Sequence, residues 1–190
     1  MEKLKYSKNI VEEFAIKVIS NSYDELYSNF VWNKQKDDFD FISTDDLAAL
    51  EVTLCIDKNV EQVLSYESSL SKGNNPDPFR IKNSHIDDKN KELLLYYGGS
   101  MEEMRKLVIE KIKEKEEKRK NRSKKYNRYE LCLCVDDGSL FNRPADFEFI
   151  IGSGILSKTK FSRLFIITCS NFYVIENNKI KEYKRIVQND

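Results

Sequence analysis

Three carboxylates in the first third of the chain have the residue types and the spacing to act together. Asp38 and Asp40 alternate with aromatic residues, and Glu51 lies in the apolar run 47–55. Two short runs on either side of the polar turn 43–46 predict a β-hairpin. Strand side chains alternate between faces, so Asp38 and Asp40 share one face, and closing the hairpin brings an aspartate next to Glu51.

Two carboxylates on a half-buried surface cost free energy unless a positive charge neutralises them. Mg²⁺ typically takes one or two protein carboxylates together with phosphate oxygens and water. Asp40 and Glu51 therefore indicate a site for Mg²⁺ or Mn²⁺. The alternative interpretation is a pair of solvent-facing acids on an edge hairpin.

An aspartate on one strand and Glu-x-Lys on the next resembles the motif of the PD-(D/E)XK nuclease superfamily. Asp40 and Glu51 have the spacing of that motif, and Gln62-Val63-Leu64-Ser65-Tyr66 resembles the QxxxY motif of RecB-like members. The chain departs from the pattern at Thr53, where the family has lysine. The resemblance implies a restriction-endonuclease-like core and a metal-dependent nuclease acting on DNA, in defence or in DNA processing.

The resemblance also implies ligands for the metal. Asp40 and Glu51 are the expected ligands and catalytic carboxylates, and Asp38 is a further candidate. Some nucleases of the family use an acid of the first helix, which makes Glu13 a candidate as well. The alternative for Glu13 is a surface acid that interacts favourably with the helix dipole.

Three residues after the hairpin are candidates for other roles in such a site. Lys58 could supply the ammonium that Thr53 lacks, which would make it the third catalytic residue. Gln62 and Tyr66 are one helical turn apart and could contact the metal shell or the DNA backbone. The alternatives are a surface lysine at 58 and a polar helix face at 62 and 66.

A basic segment follows in the second half of the chain. Residues 111–128 hold ten lysines and arginines against three glutamates. We interpret this segment as an arm that contacts the phosphates of DNA or RNA, which would make binding salt-dependent. The alternative is a solvated helix end with internal ion pairs. The candidate phosphate contacts are Lys118, Arg119, Lys120, Lys124 and Lys125.

Hydrophobic periodicity predicts an α/β fold, with a mixed central sheet flanked by helices on both faces. We expect one domain over 1–190, with a loop-and-helix excursion at about 72–128. The predicted helices are 7–30, 59–71, one that Ser100 caps with Glu103 at the capping-box spacing, and 140–151. The predicted strands are 30–33, the hairpin 38–55, 129–135, 163–169, 172–176 and 180–186.

Composition limits the functional classes. A length of 190 residues with 40% hydrophobic residues predicts a globular domain, and a net charge of zero gives no overall attraction to nucleic acid. Four cysteines without a CxxC pair are interpreted as small buried residues of a reducing, cytoplasmic environment. Neither a signal segment nor a membrane span is expected.

A second functional class stays open beside the nuclease. The same fold could carry a degenerate site and act as a binding protein, an immunity module or a subunit of a defence complex. The substitution at Thr53 favours this class, whereas Asp40, Glu51 and the Gln62–Tyr66 motif favour the nuclease. Under either interpretation the chain could form a homodimer or bind a protein partner.

Overall fold

A computed structural model describes residues 8–33, 38–45, 47–56, 85–87, 92–94, 100–135, 141 and 143–186. The α-helices within these residues are α1 (Lys8–Ser22), α2 (Met101–Asn121) and α3 (Glu148–Gly152). The strands are β1 (Phe30–Trp32), β2 (Phe41–Ser43), β3 (Ala48–Cys55), β4 (His85–Asp87), β5 (Glu92–Leu94), β6 (Arg128–Val135), β7 (Phe161–Ile167), β8 (Phe172–Glu176) and β9 (Lys179–Tyr183).

Seven strands form one mixed sheet in the order β1-β2-β3-β6-β7-β8-β9, while β4 and β5 pair separately. β3, β6 and β7 run parallel at the centre of the sheet. Antiparallel strands flank them on both sides. Parallel neighbours need a crossover, and α2 lies in the connection from β3 to β6. The prediction of an α/β fold with a mixed sheet flanked by helices is confirmed.

The central strands are buried on both faces, as their nearly continuous apolar sequences predict. On the first face, Ala15, Val18 and Ile19 of α1 pack in one cluster with Leu50 and Val52 of β3. Alternation along β3 sends the neighbouring side chains to the opposite face. The sheet therefore separates two cores, and α1 belongs to only one of them.

On the second face, α2 packs against the sheet through Met104, Val108 and Ile112, which recur every four residues. Ala49 of β3 lies in the same cluster. The predicted capping box begins this helix, because Ser100 and Glu103 each accept a hydrogen bond from the backbone N–H of the other.

The first predicted helix was too long. α1 ends at Ser22, and the Asp24 carboxylate accepts a hydrogen bond from Leu26 N at 2.9 Å, which starts a separate 3₁₀ helix, Glu25–Asn29. Leu26, which lies inside the predicted helix 7–30, is 64% exposed. The predicted helix 140–151 is similarly divided into a 3₁₀ helix, Pro144–Phe147, and the short α3.

The predicted hairpin is present as β2 and β3, which pair Phe41 with Leu50. Its first strand is shorter than predicted, because β2 begins at Phe41 and leaves Asp38 and Asp40 before the strand. Strand alternation therefore does not decide where these two aspartates point. The turn is held by Ser43 Oγ, which accepts a hydrogen bond from Ala48 N at 2.9 Å.

Three of the four cysteines are buried, and one is not. Cys55, Cys132 and Cys134 lie in the core as predicted, whereas Cys169 is exposed because β7 ends at Ile167. The predicted helix 59–71 lies outside the described residues. No helix of the described segments has the length and apolar composition of a membrane span.

Candidate functional site

Glu51 is the centre of a buried ion cluster on the α2 face of the sheet. Its side chain is 4% exposed, and both carboxylate oxygens are bound by cations. Lys115 Nζ donates to Oε1 at 2.7 Å, and an Arg122 guanidinium nitrogen donates to Oε2 at 2.8 Å. Charged hydrogen bonds of this length are among the stronger polar contacts in a protein. The cluster therefore fixes the position of Glu51.

Lys115 was not among the candidate residues, although the sequence contained a signal for it. It lies three residues after Ile112 and so continues the sheet-facing stripe of α2. A lysine in an apolar stripe must find a negative partner or lose its charge. Here the partner is Glu51, and only 10% of the Lys115 side chain remains exposed.

Asp40 is directly next to Glu51 along the sheet. The pairing of Phe41 with Leu50, continued by one residue, sets Asp40 opposite Glu51. Asp40 Oδ2 accepts a hydrogen bond from Val52 N at 2.8 Å. The Asp40 carboxylate therefore binds the backbone N–H of the residue that follows Glu51. This hydrogen bond pairs a backbone N–H of β3 that lies just beyond the end of β2.

Thr53 lies two residues beyond Glu51 and on the same face of β3. It is 9% exposed, so its short side chain lies within the buried layer between β3 and α2. Lys115 brings an ammonium group to this face from α2.

Asp38, in the segment before β2, forms a hydrogen bond with the connection between α2 and β6. Its Oδ2 accepts hydrogen bonds from Asn33 Nδ2 at 2.9 Å and from the Tyr126 hydroxyl at 2.8 Å. Burial, together with the hydrogen bond to Asp38, raises the pKa of Tyr126 to about 12. Asp38 Oδ1 is buried and has no hydrogen-bond partner within the described part of the chain. Asp38 is therefore held beside the cluster but does not bind its cations.

Arg122 connects these two groups of residues. Its guanidinium carbon lies 4.1 Å from the centroid of the Phe39 ring, in the geometry of a cation–π contact. The same guanidinium binds Glu51. Phe39 separates Asp38 from Asp40 in the sequence, so Arg122 packs against the segment that carries both aspartates.

Of the remaining candidates near the carboxylates, Glu13 is the one that the described residues include, and it does not lie beside Glu51. Glu13 is exposed on α1, which packs on the opposite face of the sheet. Lys58, Gln62 and Tyr66 lie outside the described residues, so their roles stay predictions.

The cations of the basic segment 111–128 differ in how far they are buried. Arg119 is half-buried, binds Glu116 through two nitrogens at 2.8 Å each, and lies over the Tyr129 ring. This arginine therefore has a structural role. Lys118 and Lys120 are more exposed and pair with glutamates of their own helix.

Lys124 and Lys125 follow α2 in the connection to β6. Lys124 Nζ lies 4.9 Å from the centroid of the Tyr126 ring, and Lys125 Nζ donates to the Arg122 carbonyl at 2.7 Å. Both residues are exposed and lie close in sequence to Arg122, which contacts Glu51. Their exposure keeps them candidates for contacts with phosphate.

A metal at this site would have two carboxylates to bind. Asp40 and Glu51 meet the number of carboxylates that Mg²⁺ usually takes, with the remaining positions filled by water and phosphate oxygens. The described residues contain no group of three or more histidine, cysteine, aspartate or glutamate side chains placed to hold an ion. Both Glu51 oxygens are bound by Lys115 and Arg122, so a cation here would have to share these carboxylates with side chains of the protein.

A second buried acid lies on the α1 face. Glu130 is fully buried, and its Oε1 accepts hydrogen bonds from the Tyr27 hydroxyl at 2.9 Å and from Arg163 at 3.0 Å. Arg128 also pairs with this oxygen, at 3.1 Å. Burial raises the pKa of Glu130 above its ordinary value even though both arginines oppose the shift. This cluster lies across the sheet from Glu51.

Comparisons of the chain with protein-family models, with curated proteins and with solved structures give no significant match.

Proposed function

We propose that this chain is a metal-dependent phosphodiesterase of the PD-(D/E)XK type that cleaves DNA. Asp40 and Glu51 would bind Mg²⁺ or Mn²⁺, and Lys115 would supply the ammonium that the motif normally places at Thr53. The observation that carries the proposal is the 2.7 Å contact between Lys115 Nζ and Glu51 Oε1. It supplies the one charge that the linear motif lacks.

The order of elements supports the same proposal. A helix, three antiparallel strands, a second helix and a strand parallel to the third occur in the order α1, β1, β2, β3, α2 and β6, with β4 and β5 between β3 and α2. The resembled superfamily has this core order. Asp40 precedes the second strand and Glu51 lies on the third, which are the elements that carry the two acids of the motif.

Each residue would have a distinct task. A bound divalent ion would lower the pKa of a water molecule and stabilise charge on the phosphate oxygens. Glu51 would hold the ion, and the Val52 N–H would keep the Asp40 carboxylate at the adjoining position. Lys115 would donate from its ammonium to the attacking water or to a phosphate oxygen, a role that needs only a fixed positive donor.

The test is cleavage of linear, circular and single-stranded DNA in the presence of Mg²⁺ or Mn²⁺. Activity should disappear in Asp40→Asn and in Lys115→Met, while Lys106→Met, which removes an exposed lysine of the same helix outside the basic segment, should retain it. Thermal melts of each variant separate loss of chemistry from loss of fold. Cleavage that survives both site variants would show that the activity comes from elsewhere.

One observation favours a second candidate, a binding protein with a degenerate site. Both oxygens of Glu51 are bound by cations of the chain itself, an arrangement that also occurs in purely structural ion clusters. Under this hypothesis the chain cleaves no form of DNA, and Mn²⁺ does not raise its melting temperature even when DNA is present. The protein would then act through a nucleic-acid or protein partner.

A further inference from the structure

β9 is an edge strand of the large sheet. Among the described residues it pairs with β8 alone, and most of its side chains are exposed. The turn before it has positive φ at both Asn177 and Asn178, 51° and 56°, which is the geometry of a two-residue type I′ turn. Such a turn fixes the register of the two strands, so that Glu176 lies opposite Lys179.

This register decides which backbone groups of β9 point outward. Glu176 and Lys179 flank the turn and form a hydrogen-bonded pair, and in an antiparallel ladder such pairs alternate with pairs that share no hydrogen bond. The backbone N–H and C=O groups of Ile180 and Glu182 therefore point away from β8. They are placed to pair with one further extended strand, an arrangement by which many domains bind peptides.

On its α2 face, β9 borders a pocket of about 390 Å³. Ile180 packs against the core on this face and lines the pocket, together with Pro144, Glu148, Ile151 and Asn178. A residue of an added strand that lies opposite Ile180 points to the same face. Its side chain would therefore lie at the pocket, and the proline and the two isoleucines favour an apolar side chain there.

On its α1 face, β9 presents two exposed lysines, Lys179 and Lys181. Glu176, opposite Lys179, is bound by Arg163 at 2.5 Å, and Lys181 lies opposite Val174. Within the part of the chain that the structure describes, neither lysine has an ion-pair partner. The two residues of an added strand that lie opposite these lysines would point to the same face, so carboxylates suit both positions.

A second copy of β9 does not suit this edge. Antiparallel pairing about a two-fold axis at Lys181 sets that lysine opposite its own copy, and an axis at Ile180 sets Lys179 opposite Lys181. An axis at Glu182 sets two glutamates opposite each other. Like charges directly opposite destabilise a strand pair, and lysines on an edge strand commonly prevent association of this kind. The charges of β9 thus disfavour a homodimer and favour an acidic strand.

We propose that the β9 edge binds an extended acidic segment of another protein, in which an apolar residue lies between two acidic ones. The backbone of that segment pairs with Ile180 and Glu182, its apolar side chain enters the pocket, and its carboxylates meet Lys179 and Lys181. β9 lies several strands away from β3, which carries Glu51, so the inference is independent of the proposed nuclease function.

The test is fluorescence anisotropy of short labelled peptides with the full chain. A peptide with glutamate, isoleucine and glutamate in succession should show saturable binding that weakens as salt is raised. Replacing its isoleucine by alanine should weaken binding about tenfold, because the pocket loses its occupant. Replacing both glutamates by lysine should abolish measurable binding. A peptide of the same composition with the two glutamates adjacent should bind at least about fivefold more weakly, because its charges no longer share one face.

Variants of the chain test the two kinds of contact separately. Lys179→Glu with Lys181→Glu should weaken binding of the glutamate peptide at least about tenfold and favour the lysine peptide. Lys158→Glu with Lys160→Glu makes the same change of charge between α3 and β7, and should alter the affinity less than about twofold. Glu182→Pro removes a backbone N–H that points outward and should weaken binding about tenfold, whereas Glu182→Gln should not weaken it.

Melting curves identify any variant that does not fold, and the lysine variants test the proposal if Glu182→Pro is unstable. No saturable binding of the glutamate peptide, or equal binding of the glutamate and lysine peptides, would overturn it. A folded Glu182→Pro that binds as tightly as Glu182→Gln would overturn the strand pairing. Light scattering that shows a dimer, dissociated by Glu182→Pro, would make a second copy the occupant, and displacement of the peptide by duplex DNA would reassign the two lysines to phosphate.

Discussion

Lys115 and Glu51 lie 64 positions apart in the chain, and their charged groups are 2.7 Å apart in the fold. The contact forms because α2 crosses the face of β3 on which Glu51 points, with Lys115 one turn beyond the last buried isoleucine of the helix. Under the proposed function, Lys115 would do from a helix what the lysine of the motif does from a strand.

The ion cluster should contribute measurably to stability. Glu51→Gln removes the shared partner of two buried cations, so we expect the free energy of unfolding to fall by about 3 kcal/mol. Lys115→Met should cost less, because Arg122 still neutralises Glu51. Urea unfolding of the two single variants and the double variant should give a coupling energy of about 1 to 2 kcal/mol.

A matched control for this cycle is Lys118→Met. Lys118 pairs with Glu114 on the exposed side of the same helix, and such pairs are worth little. Its effect should stay within about 0.5 kcal/mol. Equal costs for Lys115→Met and Lys118→Met would contradict the importance of the buried pair.

Asp40→Asn should lower the cleavage of DNA without much effect on the stability of the fold. Asparagine keeps an oxygen that can accept the hydrogen bond from Val52 N, so the free energy of unfolding should change by less than about 1 kcal/mol. The negative charge is lost, and with it a ligand for the metal. Cleavage of DNA should therefore fall by about 100-fold or more.

Asp40→Ala provides the comparison for that variant. It removes both the charge and the acceptor, leaving a buried backbone donor unsatisfied, and should also cost about 1 to 3 kcal/mol of stability. If Asp40→Asn cleaves DNA as well as the wild type does, Asp40 is a structural acceptor and is not a metal ligand.

Salt dependence should identify which basic residues contact phosphate. Lys124→Ala with Lys125→Ala removes two exposed cations close in sequence to Arg122, so the slope of log affinity for duplex DNA against log salt should fall by about 2. Arg119 is better left intact, because it pairs with Glu116 within α2 and packs over the Tyr129 ring of β6. Fluorescence anisotropy at several salt concentrations measures the slope.

The control removes the same charge from the other edge of the sheet. Lys179→Ala with Lys181→Ala changes two exposed lysines of β9, several strands away from β3. This pair should leave the slope nearly unchanged. Equal changes from both pairs would indicate a diffuse electrostatic effect without a defined phosphate contact.

Local signals in the sequence predicted much of the fold. The capping box at Ser100, the apolar stripe of α2 and the buried run of β6 each depend on residues close together in the chain. The ends of the helices were less predictable, because a capping side chain can end a helix where apolar residues still recur at helical spacing. Asp24 ends the first helical segment by binding Leu26 N, even though apolar residues continue to recur at helical spacing.

The sequence predicted only some members of the candidate site, because the others come from a distant segment of the chain. Spacing suggested that Asp40 and Glu51 meet, since both belong to one hairpin region. Lys115 and Arg122 reach Glu51 through the packing of α2 on β3, and neighbouring sequence positions do not encode that packing. The interruption of an apolar stripe by Lys115 was the available signal, and its meaning depends on which strand residue faces it.

The last prediction concerns the buried acid on the α1 face. Burial raises the pKa of Glu130 above its ordinary value of 4.5, in spite of Arg128 and Arg163. A raised pKa means that the folded protein binds this proton more tightly than the unfolded chain does. The stabilisation is complete below pH 4.5 and is lost as pH rises through the folded-state pKa. Relative to Glu130→Gln, the wild type should therefore lose stability above pH 4.5, by at most about 1.4 kcal/mol per pH unit.

Urea unfolding of both proteins between pH 4 and pH 8, at roughly half-unit steps, measures this difference. Glu148→Gln is the control, because it makes the same substitution at an exposed glutamate. The opposite slope is equally informative. If the wild type gains stability over Glu130→Gln as pH rises above 4.5, the two arginines and the Tyr27 hydroxyl outweigh burial, and Glu130 is held as a carboxylate in the core.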